Sequence, residues 1–220
     1  MTFSWFMFEF IGTIAFAVSG SMVGLSRRMD IFGVAVLSIL TAVGGGILRD
    51  ILMGVTPPLA FRTPSGLLLP IVTALIVSGL YVKLKVTKKE KIWLGHIYNI
   101  SDTIGLAAFT VTGAMMGLGG DIAYILPATL GVSTGIGGGI LRDLMAQRVP
   151  VVLRMDVYAI ASLAGGLALC AVWYAGYKEF ASWVGFSVVL LLRFGAIHFG
   201  WQLYHPRPEG IRKRSSGKCG

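Results

Sequence analysis

Two heptapeptides, Gly44-Gly45-Gly46-Ile47-Leu48-Arg49-Asp50 and Gly137-Gly138-Gly139-Ile140-Leu141-Arg142-Asp143, are identical and lie 93 residues apart. Each joins a glycine run to adjacent opposite charges inside an apolar stretch. Glycine costs about 1 kcal/mol against alanine in a helix interior, so three in a row weaken a helix at one point. In lipid, freed backbone groups survive only where protein or a water-filled cavity receives them. Hydroxyls stand just upstream, Ser38 and Thr41 before the first run, Ser133 and Thr134 before the second. Exposed carbonyls and hydroxyls are good ligands for a hard monovalent cation. The motif therefore predicts Gly-broken spans around a permeation or binding site. Close helix packing at small residues is the alternative, and the Gly20-x-x-x-Gly24 and Gly113-x-x-x-Gly117 spacings suit it too.

Side chains of neighbouring helical residues point about 100° apart. Arg49 and Asp50, and likewise Arg142 and Asp143, are thus expected to seek partners elsewhere. Glu9 is placed along its span to meet Arg49, and Asp102 to meet Arg142. A charge at membrane depth costs about 2.5–3.5 kcal/mol on insertion scales, so such pairs point to function. Arg193, in the run Val188-Val189-Leu190-Leu191-Leu192-Arg193, could plug a cavity, bind a lipid phosphate, gate, or pair with an acid. His198 reads as a satisfied interior histidine.

These residues sit in a chain of 220 residues, 55% hydrophobic and 13% charged, with mean hydropathy +0.77. A soluble domain wants a surface roughly 25–35% charged, so lipid must cover most of this one. Seven windows are long and apolar enough to span, near 3–25, 31–53, 65–82, 97–118, 122–146, 157–177 and 181–204. The first lacks a basic leading region and reads as a true span rather than a signal peptide. Trp5, Trp93, Trp183, Trp201 and Tyr204 fall near span ends, as an aromatic belt would. Cys170 and Cys219 are not expected to form a disulfide. There is no H-E-x-x-H, Walker loop or Cys/His metal spacing, so neither an enzyme nor a bound cofactor is expected. The net charge of +9 lies in short clusters between apolar runs, the pattern of membrane orientation rather than of nucleic-acid binding. With the N-terminus outside, about fifteen basic residues face the cytoplasm against three outside, Arg49, Arg62 and Lys178.

The motif is the centre of a longer repeat. Across 12–50 and 105–143, 18 of 39 positions are identical without a gap, and Pro57 falls on Pro150. Each unit holds three spans, and an odd number inverts the second unit in the membrane. The expected organisation is a first three-helix repeat over 3–83, a basic cytoplasmic linker over 84–96, and a second, inverted repeat over 97–177. A seventh helix over 181–204 and a basic tail over 205–220 follow. The fold class is all-α integral membrane with seven transmembrane helices.

The doubled V/I-G-G-G-I-L-R-D, each copy preceded by a G-x-x-A-F-x-V-x-G span, resembles the prokaryotic branch of the trimeric intracellular cation (TRIC) channels. The likeness extends over about residues 8–200. It implies a homotrimer in a bacterial or archaeal plasma membrane, with membrane lipids around it and no nucleic acid or soluble partner. It further implies one pore per protomer, lined by glycine-kinked second and fifth helices, passing mainly potassium and also sodium. Carried over, the kinks fall on Gly44–Gly46 and Gly137–Gly139, and the basic pore positions on Arg49 and Arg142. Where animal members carry Lys-Glu-Val and bind phosphoinositide, this chain has Arg49-Asp50-Ile51. Some bacterial relatives with the same doubled motif resemble transporters of small solutes such as glycine, and a non-conducting scaffold is the third class.

Overall fold

A computed structural model describes residues 3–83, 88–120, 123–154 and 157–201. Seven long helices carry the fold: α1 (Phe3–Ser26), α2 (Ile31–Leu52), α3 (Pro64–Lys83), α4 (Lys88–Gly117), α5 (Ile125–Met145), α6 (Val157–Tyr174) and α7 (Lys178–Phe199). Their bounds lie close to the seven apolar windows, with one departure. α4 starts at Lys88, so most of the expected 84–96 linker is helical. Lysine and glutamate are good helix formers, and no proline interrupts the segment between Lys88 and the apolar run. The tail, with Tyr204 and Cys219, lies outside the described residues.

Among the described residues five helices are long and apolar enough to cross a membrane: α1, α2, α3, α6 and α7. α4 and α5 carry Asp102, Arg142 and Asp143 and pack in the interior, where they need not be apolar. α3 is the opposite case. It buries only Pro70, Thr73, Ala74 and Ser78, so most of its apolar residues face outward.

Local chemistry sets the helix ends, and it repeats. α2 starts at Asp30, whose carboxylate accepts from the Gly33 N–H at 2.7 Å. It ends in a left-handed residue, Gly54, with the Val55 N–H donating back to the Asp50 carbonyl at 2.8 Å. α5 ends in the same motif, with Gln147 left-handed at φ 53° and the Arg148 N–H donating to the Asp143 carbonyl at 3.0 Å. Both chains then enter a short 3-10 turn, Leu59–Phe61 after Pro58 and Val151–Leu153 after Pro150. Pro58, not Pro57, is therefore the structural counterpart of Pro150. The second loop is one residue shorter, and the gapless register stops there.

Contacts between the halves are reciprocal. A Cβ on Gly45 would run into the Thr134 carbonyl oxygen, and one on Gly138 into the Thr41 carbonyl oxygen. Gly12 faces Phe109 and Gly105 faces Phe16; the two phenylalanine rings pack 5.2 Å apart. In each case residue i meets residue j of the other half, and the equivalents of i and j meet in exchange. Along α1 the partners on α4 run backward, from Thr112 beside Trp5 to Asp102 beside Ser19. Gly20 and Gly113 serve the contact within each half, against Leu37 and Thr41 and against Leu130 and Thr134.

Both glycine runs stay helical throughout. The expectation of a broken span is corrected here. The helical hydrogen bonds survive because the glycines are packed, and their missing side chains let α2 and α5 cross with backbones nearly touching. α7, outside the repeat, packs on α6 and α4.

Candidate functional site

Arg49 is 1% exposed. Its Nε donates to Asp50 Oδ1 at 2.9 Å, and its Nη1 to Glu9 Oε2 at 3.4 Å. Adjacent residues were expected to point apart, yet the guanidinium reaches its neighbour. The Arg side chain is long enough to fold back across the 100° between them. Asp50 then spends its second oxygen on the Leu59 N–H at 2.7 Å, tying the 3-10 turn to the end of α2. The Arg49 guanidinium lies 5.6 Å from the Trp5 ring centre, close enough for a cation–π contact. Glu9 keeps 28% of its side chain exposed, and the Thr112 hydroxyl of α4 interacts with it.

The second half builds the same core and adds to it. Arg142 Nε donates to Asp143 Oδ1 at 2.9 Å, and Nη1 donates to Asp102 and to Ser19 Oγ. Ser19, on α1, also donates to Asp102 at 3.3 Å. Ser19 and Thr112 are equivalents in the repeat, so the first helix of each half completes the ion cluster of the other. Asp143 Oδ2 accepts from the Val151 N–H at 2.8 Å. Arg148 has no counterpart in the first half. It pairs with Asp143 at 2.7 Å and donates to the Tyr98 hydroxyl at 2.7 Å. Tyr98, equivalent to Trp5, lies under the Arg142 guanidinium at 5.1 Å. Glu9 and Ser19 are ten residues apart on α1, which separates the two clusters by about 15 Å along that helix.

Other candidates sit differently. Ser38, Thr41 and Thr134 are fully buried and give their hydroxyls to backbone carbonyls, Thr41 to Leu37 and Thr134 to Leu130, both at 2.6 Å. Ser38 lies between the Ala17 and Pro70 carbonyls. Ser133 bonds Leu130 O at 3.1 Å and remains partly exposed. Arg193 is 2% exposed and faces inward, 4.8 Å from the Tyr158 ring centre. His198 is exposed at the end of α7 against Phe199, not interior. Trp5 is buried and its Nε1 donates to the Thr112 carbonyl at 3.2 Å, so it leaves the aromatic belt, whereas Trp93, Trp183 and Trp201 are exposed.

Sequence reasoning passed over Tyr98, Ser19, Arg148 and Tyr158. One signal was available: each carboxylate follows an aromatic by four residues, Trp5 before Glu9 and Tyr98 before Asp102. That spacing puts both on one helix face.

A family model described as "Glycine transporter" matches the chain twice, over residues 6–82 and 99–174, once per half. UPF0126 inner membrane protein YadS of Escherichia coli is 34% identical over 90% of this chain and 93% of its own. UPF0126 membrane protein YvgT of Bacillus subtilis is 37% identical over 91% and 95%. Among solved structures, one from a study of conductance through TRIC cation channels aligns with TM-score 0.81 and 29% identity, over 96% of this chain and all of that one. The TRIC orthologue from Rhodobacter sphaeroides aligns with TM-score 0.81 and 30% identity, over 91% and 100%. These relatives are membrane and channel proteins, not enzymes.

Proposed function

The chain belongs to the prokaryotic TRIC family, a multi-pass membrane family with a doubled domain, and from that premise we propose that it is a monovalent-cation channel. The observation that carries this reading is the match of nearly the whole chain to solved TRIC cation channels at TM-scores of 0.81–0.83 and 29–30% identity. In this proposal potassium is the main permeant ion, sodium also passes, and each protomer of a homotrimer holds one pore. All seven helices span a prokaryotic plasma membrane, N-terminus outside and C-terminus in the cytoplasm. The backward run of α4 along α1, an equivalent helix, supports an inverted repeat. The skewed basic residues support the orientation.

The α2–α5 crossing at Gly45 and Gly138 is then the constriction, with one ion cluster on each side of it. Conduction requires the two helices to part there. The cation meets Glu9 at one end, where two carboxylates, Glu9 and Asp50, face one guanidinium. A partly exposed carboxylate with unused lone pairs offers a cation a ligand before its remaining water is shed. Arg49 and Arg142, each pinned by two carboxylates, repel it less than free arginines would.

The description of the matched family model favours a second reading, a carrier for glycine. Proteoliposomes separate the two. Potassium efflux that needs no valinomycin and does not saturate at low millimolar concentration is the expected result. Saturable uptake of labelled glycine without potassium flux would replace the channel with the carrier.

A further inference from the structure

The two ion clusters part company beside their third glycines. A Cβ on Gly46 would lie 3.6 Å from Arg49 Nη2 and 3.8 Å from Glu9 Oε1, so a donor and an acceptor border that space. A Cβ on Gly139 would lie 3.6 Å from Arg142 Nη2 and 3.4 Å from Tyr158 Oη. Asp102 is one methylene shorter than Glu9, and what borders the space beside Gly139 is a pair of donors. Both are buried, and neither has a hydrogen-bond partner. Arg193 Nε, from α7, is a third buried donor without a partner. Its guanidinium rests on the ring of the same Tyr158.

Charge points the same way. Arg142 and Arg148 share the carboxylates of Asp102 and Asp143. Among the described residues no carboxylate pairs with Arg193, although it is only 2% exposed. A buried guanidinium without a counter-ion is unstable in any protein and more so at membrane depth. Water can satisfy a donor but cannot neutralise the charge. Two unpartnered donors, from α5 and α6, border one space, and a cation without a carboxylate partner, from α7, rests on the ring of one of them, an arrangement that suits an acceptor carrying negative charge.

We propose that the space beside Gly139, bordered by Arg142 and Tyr158 and with Arg193 against the Tyr158 ring, binds a small monovalent anion, a halide or the carboxylate of a small solute. Arg142 Nη2 and Tyr158 Oη donate to it, and Arg193 supplies the matching charge. The anion completes the second cluster with what Glu9 supplies to the first. It is a structural counter-ion, and its presence makes a cluster rich in arginine compatible with neighbouring cation flow. The site stands whether or not the chain conducts.

The test uses purified full-length protein in detergent and measures unfolding temperature in potassium gluconate, whose anion is too large to enter. Bromide or acetate is titrated in at constant ionic strength. The expected result is a rise of at least about 3 °C with one or both anions. Bromide alone identifies a halide site, and acetate alone a carboxylate site. Arg193→Met should abolish the rise while unfolding no earlier than the parent in gluconate. Tyr158→Phe, a smaller change, should weaken the anion dependence about tenfold. Bromide anomalous diffraction should place a peak between Arg142 Nη2 and Tyr158 Oη where bromide is the stabilising ion. Unfolding temperatures indifferent to both anions would overturn the proposal. So would a rise that persists unchanged in both Arg193→Met and Tyr158→Phe.

Discussion

The Arg49 and Arg142 clusters descend from one repeated motif and keep the same core: an arginine held by its own neighbour and by a carboxylate from the first helix of its half. They differ in tightness and in sign. Around Arg49, two carboxylates meet one guanidinium, and Glu9 is over a quarter exposed. Around Arg142, two arginines share two buried carboxylates, Arg193 lies against the adjoining Tyr158, and Tyr98 and Ser19 fill the remaining contacts. Reciprocal packing explains why the core is shared, because α2 and α5 must present matching surfaces to cross. Nothing in that packing forces the outer residues to match. In the proposed channel the first cluster faces the permeant cation and the second is a lock.

The glycine crossing offers the largest effect by which to break this comparison. Gly45→Leu and Gly138→Leu each drive a side chain into the partner helix backbone, and both should abolish the folded, detergent-stable protein. Size-exclusion chromatography checks this, and a well-behaved Gly138→Leu beside an aggregated Gly45→Leu would refute reciprocity. Next is Asp102→Asn, which leaves the buried Arg142 with one carboxylate, Asp143, that it shares with Arg148. Removing one partner of a buried pair costs about 3–5 kcal/mol, read as a lower unfolding temperature. Glu9→Gln breaks the equivalent pair where it is longer and partly exposed, and should cost only about 1 kcal/mol. Equal losses would erase the distinction between lock and mouth. Effects as small as that of Glu9→Gln are expected at the left-handed helix ends. Gln147→Gly should stabilise by about 1 kcal/mol, since a side chain is strained at φ 53°. Gly54→Ala should destabilise by a similar amount.

Much of this was legible in the sequence. Apolar length placed all seven helices, position along the spans predicted that Glu9 would reach Arg49, and the inverted copy predicted that Asp102 would reach Arg142. What escaped was set by side-chain reach and by packing across the repeat. Arg49 folds back on Asp50 because its side chain is long and flexible, which helical angles alone do not reveal. The glycine runs read as breaks because propensity treats a helix as isolated, whereas Gly45 and Gly138 are held by a partner backbone. Thr41 and Thr134 read as ion ligands, but buried in a crossing helix a hydroxyl bonds the carbonyl one turn back. Ser19 joins the Arg142 cluster from the other half, a contact the tertiary fold makes and local spacing does not show. Trp5 and Tyr98 could have been found, since each precedes its carboxylate by one helical turn.

The most direct test of the central claim is single-channel recording of the purified protein in symmetrical KCl, with Glu9→Gln and Asp102→Asn in parallel. The account predicts potassium currents for the parent and a clearly reduced unitary conductance for Glu9→Gln at nearly unchanged unfolding temperature. Asp102→Asn should lower stability while any channels that survive keep the parent conductance. A parent protein that passes no potassium current, or a Glu9→Gln conductance equal to the parent's, would contradict it.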